Sequence, residues 1–192
     1  MSRCLDFSNV DRSVDVDRLD ASALPLRSGA VDGCRIERVL QHVDDPHRVV
    51  AEVARVVRPG GFLAIFEPDY STFRVDSEVA PDGTLPARLV AVRHPTVGSR
   101  LAAMVERNSF RVDDIVTEAS RCYQLDALPI DAAHIIGRAL PVDVASVVGQ
   151  ACEAGVVDRA VGERWLVEQR DRSDAGTFLA RWDKILVVAH RM

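Results

Sequence analysis

The chain has 192 residues, of which 47% are hydrophobic and 28% charged, with a formal net charge of −5. This is the composition of a globular protein long enough to bury a core, and its acidic balance argues against a nucleic-acid partner. The four cysteines are scattered, no apolar run approaches the roughly 18 residues of a membrane span, and Met1 to Asp11 is too polar for a signal peptide. A cytoplasmic protein without a disulfide framework, a zinc site or a membrane partner is therefore expected.

In chain order, residues 14–19 open with apolar/acidic alternation and predict a short strand. Asp20 to Pro25 reads as a loop. Val31 to Ile36 predicts a second strand after the turn Ser28-Gly29. Asp44-Asp45-Pro46 is a helix start, because an Asp cap accepts from orphan N–H groups and Pro at the first position loses no hydrogen bond. Val49, Val53, Val56 and Val57 then share one helical face, and Pro59-Gly60-Gly61 predicts the stop. Phe62 to Phe66 is a continuous apolar run of the kind found in strands buried on both faces. Residues 71–92 read as irregular, with Pro81, Gly83 and Pro86 as punctuation. Arg100 to Arg107 predicts a helix and Phe110 to Thr117 a strand. Residues 130–170 read as helical in pieces, broken at Pro141 and Gly155. Ile185 to Ala189 predicts a final buried strand. Alternation of strand and helix implies α/β architecture with a mostly parallel sheet.

Three stretches together resemble the class I S-adenosylmethionine (SAM) methyltransferases, in particular those with the methyltransferase-11 type domain. Asp20-Ala21-Ser22-Ala23-Leu24-Pro25 is similar to the family's D-A-x-x-L-P loop. Val31 to Pro46 resembles its fourth strand and following helix. Val56-Val57-Arg58-Pro59-Gly60-Gly61-Phe62-Leu63 is similar to its L-x-P-G-G-x-L turn into the fifth strand. The resemblance implies a Rossmann-like sheet in one domain, residues 1–192, with a helical insert near residues 125–176 before the last strand. It also implies SAM as cofactor and a small organic molecule as methyl acceptor.

By that resemblance Asp20 would accept from the adenine amino group and the Ala21 backbone would meet the ring edge. Glu37 would lie beside the methionine part. The strand end carrying Glu67, Asp69 and Tyr70 would face the acceptor, with His42, Glu67 and Asp69 as candidate catalytic groups. The residues alone leave blander readings open. Asp20 can cap its own turn. His42, Asp44, Asp45 and His47 can be a helix start rather than a metal cluster. Glu67 to Tyr70 can be a strand-to-loop turn.

One departure stands out. The family opens with a strand, a glycine-rich loop and a helix, and here no glycine precedes Gly29. The family's first strand pairs with its fourth, so residues 31–36 are expected to present an open edge. Residues 14–19, a second copy of the chain, or a polypeptide carrying the missing strands would each complete the sheet. The last two make an inactive fragment that pairs through this edge the alternative to an enzyme.

Overall fold

The computed structural model describes residues 19–89, 92–128 and 144–192. The first unit is a strand–helix–strand crossover. Strand β1 (Val31–Glu37) leads into helix α1 (Pro46–Val56) and then strand β2 (Val57–Val75). The two strands are parallel, with Cys34 opposite Leu63 and Ile36 opposite Ile65. Asp45 caps α1 as expected, accepting from the backbone N–H of His47 at 2.9 Å and of Arg48 at 3.2 Å. The helix buries Val49, Val50, Val53 and Val56.

Strand β2 corrects two expectations. The helix already ends at Val56, and Pro59-Gly60-Gly61 forms a bulge in which the register jumps from Val31 opposite Val57 to Gly33 opposite Phe62. Gly61 is needed there, since a Cβ would sit 2.6 Å from the Asp32 carbonyl oxygen. The strand also runs on to Val75, through residues 71–75 that read as irregular. Pro68 is tolerated because the pairing with β1 ends at Phe66, so no ladder bond is lost on that side.

Helix α2 (Leu85–Leu89), helix α3 (Val97–Arg107) and strand β3 (Phe110–Cys122) follow. After a 3-10 turn come helices α4 (Val144–Glu153) and α5 (Arg159–Asp174), which form the helical insert, and strand β4 (Ala180–Arg191). The sheet order is β1-β2-β4-β3. Three strands share one direction and β4 runs against them, so β1·β2 is the parallel pair and β4 is antiparallel to both neighbours. The insert explains the reversal. The chain leaves at Cys122, opposite Ala180, and re-enters the sheet from that same end.

Helices α1 and α3 pack on one face, over Ile36, Leu63, Ile65, Val187 and Ala189. A second cluster joins Phe73, Val75 and Trp182 to α2, α4 and α5 around Trp165. The rings of Phe73 and Trp182 meet edge-on at 5.4 Å. Phe62, Ala64, Phe66, Leu186 and Val188 belong to neither cluster. Among the described residues β1 is paired on one side only. Residues 14–18 of the expected first strand lie outside the described residues. No described helix is long and apolar enough to cross a membrane.

Candidate functional site

Beyond Glu37 the chain turns sharply. Arg38 adopts a left-handed conformation with φ of 55°, uncommon for a residue with a Cβ. Its N–H still bonds to the Phe66 carbonyl at 2.9 Å. The next two N–H groups, of Val39 and Leu40, converge on one oxygen of Glu67, Oε1, at 2.7 and 2.6 Å. Glu67 has no exposed surface, and its second oxygen has no partner. Burial pushes its carboxyl up to about 7, against the pull of those N–H groups and of Arg38.

The other side of the turn is held by His94. Its backbone N–H donates to the Gln41 carbonyl at 3.0 Å, and its ring Nε2 lies 3.0 Å from the Val43 carbonyl, which implies that Nε2 carries the proton. Tyr70 N–H donates to the Pro95 carbonyl at 2.8 Å. The Tyr70 phenol is buried and raised by that burial, with Arg38 drawing it down. Asp69 is tied to backbone and hydroxyl donors. Oδ1 accepts from Ser71 N–H and Oγ at 2.9 and 2.6 Å, and Oδ2 accepts from Ser99 N–H at 3.1 Å, anchoring the first turn of α3.

His42 emerges from the turn with a buried Nε2 that has no partner. Burial first, and Arg38 second, hold its pKa below the ordinary histidine value. His42, Val43, Asp44, Arg48 and Val49 wall one side of an open cleft of about 540 Å³, and Asp20, Ala21 and Ser22 wall the other. Asp20 caps its own turn, accepting from Ser22 N–H at 2.8 Å and Ser22 Oγ at 2.7 Å, which holds its carboxyl below the usual range. The bland reading of Asp20 and its place in the cleft are therefore compatible. Glu52 and Arg55 of α1 fasten the Asp20 loop from below. Glu52 accepts from Leu24 N–H at 2.7 Å, and Arg55 donates to the Leu24 and Leu26 carbonyls at 3.1 and 2.7 Å.

The structure thus brings Asp20, Ala21 and His42 together, with Glu67 behind the turn. Glu37 faces elsewhere. It pairs with Arg35 and lines a separate depression of about 350 Å³ with Ala64, Phe66 and Leu186. Residues 44–47 form the helix start, and no metal-binding group of His, Cys, Asp or Glu occurs among the described residues. The clamps from His94, Glu52 and Arg55 were not visible in the sequence. Their partners are backbone atoms, which leave no side-chain signature.

Residues 3–65 match the methyltransferase domain family. The chain is 33% identical over 180 residues to an uncharacterized 37.1 kDa protein of a transposon in Streptomyces fradiae, a match covering 92% of this chain and 48% of that protein. It is 38% identical over 64 residues to the demethylmenaquinone methyltransferase of Renibacterium salmoninarum, covering 32% of this chain and 27% of that enzyme. The fold is similar to that of a methyltransferase-like protein from Bacillus halodurans, with a TM-score of 0.51 at 13% identity over 92% of this chain and 77% of the other. The likeness to the methyltransferase domain family is carried by residues 3–65, about the first third of the chain. The chain spans about half the length of the Streptomyces relative and a smaller part of the Renibacterium enzyme.

The residues of this chain fit one end of SAM better than the other. The cleft offers a carboxylate at Asp20, a backbone edge at Ala21 and apolar surface from Val43 and Val49, as an adenosine group requires. For the methionine end, the described glycines lie in turns, in the β2 bulge, in β1 and within helices. Among the described residues none forms a loop between a strand and a following helix of the phosphate-cradle kind.

Proposed function

We propose that this chain forms the adenosine-side wall of a methyltransferase that moves the SAM methyl group to a small organic acceptor. The observation that carries this reading is the cleft in which Asp20, Ala21 and Ser22 face His42 and Val43. When bound, SAM would supply an activated methyl group for transfer to the acceptor, with S-adenosylhomocysteine as the other product. The sulfonium is already activated, so the protein contributes mostly orientation and exclusion of water. Where the acceptor must lose a proton, His42 is the candidate to take it, since it lines the cleft and its lowered pKa keeps it neutral near pH 7. Glu67 and Asp69 stand behind it as carboxylates already engaged by the backbone. The Renibacterium relative, whose name specifies demethylmenaquinone, supports an acceptor of the small organic class.

Calorimetric titration of S-adenosylhomocysteine into the purified, folded chain tests this. Micromolar binding that weakens about tenfold in Asp20→Ala is expected, the loss of one hydrogen bond to a charged group. A folded chain that binds nothing would sink the reading for this chain by itself.

A second reading is favoured by the edge of β1, unpaired among the described residues, and by the stripe Phe62, Ala64, Phe66, Leu186 and Val188, which no described core cluster includes. Here the chain is half of a sheet completed by polypeptide corresponding to the unmatched half of the Streptomyces relative, contributing a strand to β1 and an apolar-faced helix to the stripe. The completing segment can lie in the same polypeptide or a separate one. Light scattering that finds only monomer, with cooperative melting, would count against it.

A further inference from the structure

We propose that Glu67 is the positioning residue of this site: from inside β2 its carboxylate sets the Val39–His42 turn that walls the cofactor cleft, and it does not act as a base on the acceptor. The inference rests on the cleft being the SAM site. Its geometric basis does not.

Arg38 leaves β1 in a left-handed conformation, which turns the two following N–H groups to the same side. Successive N–H groups arranged this way form a concavity for an anion. Glu67 Oε1 fills it, 2.7 Å from Val39 N and 2.6 Å from Leu40 N. The pairing of β1 with β2 ends one residue earlier, where Arg38 N–H meets the Phe66 carbonyl. The carboxylate therefore takes over where the ladder stops. It carries the turn across to Gln41 and Val43, which His94 clamps from the far side. His42 lies between these two supports and reaches the cleft.

A base needs access to its substrate. Glu67 has no exposed surface and is not among the residues lining the cleft, whereas His42 is. A carboxyl near neutrality would suit a general base by its titration alone, but burial raises that value without an acceptor, against the pull of the backbone N–H groups and Arg38.

The test compares Glu67→Gln, which keeps an acceptor oxygen at the same place, with Glu67→Ala, which does not. Two quantities are read: amide hydrogen exchange at Val39 and Leu40, and the affinity for S-adenosylhomocysteine. The alanine variant is expected to speed exchange at these two amides about tenfold or more and to weaken the ligand about tenfold, the scale of a lost hydrogen bond to a charged group. The glutamine variant is expected to stay within about threefold of the wild type in both.

Unchanged exchange at Val39 and Leu40 in the alanine variant would overturn the proposal. So would equal damage by glutamine and alanine, or faster exchange with unaltered ligand affinity. If the wild type binds no ligand, the cofactor reading has failed on its own, and the exchange experiment alone decides whether Glu67 holds the turn. Should the alanine variant not fold, the wild type suffices. The Val39 and Leu40 amide shifts must then follow the titration of Glu67, whose charged and titratable neighbours are Arg38 and Tyr70. Shifts that ignore it would overturn the assignment.

Discussion

Leu63 and Ile65 lie under α1 and α3 with no exposed surface, while Phe62, on the same strand, is 54% exposed on the opposite face. The two faces of the sheet are built from one continuous apolar run, Phe62 to Phe66, yet the described helices cover only one of them along this stretch. A strand that serves a single covered face normally alternates apolar with polar residues, and an unbroken apolar run is characteristic of strands covered on both sides. This stretch is therefore written for a layer on each face. Some local shielding exists. The Phe62 ring lies over Gly33, where a Cβ would approach it to 2.2 Å, and the Lys184 ammonium sits 5.8 Å from the Phe66 ring centre.

The sharpest way to probe this contrast is to empty the covered face. Ile65→Ala removes a side chain with no exposed surface and leaves a cavity under α1 and α3, so a loss of roughly 2–5 kcal/mol is expected in urea unfolding. A loss below about 1 kcal/mol would mean that the helices do not seal this face.

Glu67 continues the covered row Leu63, Ile65 and supplies the next largest effect. Its folded-state value of about 7 lies above the ordinary 4.5, so the folded chain holds the proton more tightly than the unfolded chain. Its stabilising share is fully present below about pH 4.5 and is lost as pH rises through about 7. The loss is at most about 3 kcal/mol. Glu67→Gln cannot titrate. The stability of the wild type relative to this variant should therefore fall between pH 5 and pH 8 in parallel urea titrations. A constant difference would show that Glu67 is not buried as described.

What the sequence made legible follows the range of each interaction. Helix α1 could be read from Asp45 and Pro46 because a cap is a contact between near neighbours. The core of β2 could be read from its apolar run. The extension to Val75 could not, since Ser71, Thr72 and Arg74 dilute the pattern and the cover for Phe73 and Val75 comes from the insert and Trp182, far along the chain. The site divides in the same way. Asp20, Ala21 and His42 are each singled out by the family resemblance, and the structure brings them to one cleft. The engagement of Glu67 and the contact of Asp69 with Ser99 were not legible, because their partners are backbone N–H groups 27 to 30 residues away. Any residue type but proline at Val39 or Leu40 would present the same donor.

The smallest expected effect on stability is the most informative about the bare face. Phe62→Ser removes a ring that is already half in water, so the cost should stay below about 1 kcal/mol. Its effect on association should be large if the stripe receives a helix, because Phe62 is the most exposed aromatic of that stripe and a large aromatic is a natural anchor of a docking contact. Sedimentation of the wild type alone, and mixed with the polypeptide corresponding to the unmatched half of the Streptomyces relative, reads this directly. A complex lost in Phe62→Ser but kept in Arg111→Ala, on the far strand of the same sheet, would place the missing layer on this face. A stability cost as large as that of Ile65→Ala would instead mean that this chain covers the stripe itself. The two faces would then be equal in solution, and the case for a completing partner would rest on the β1 edge alone.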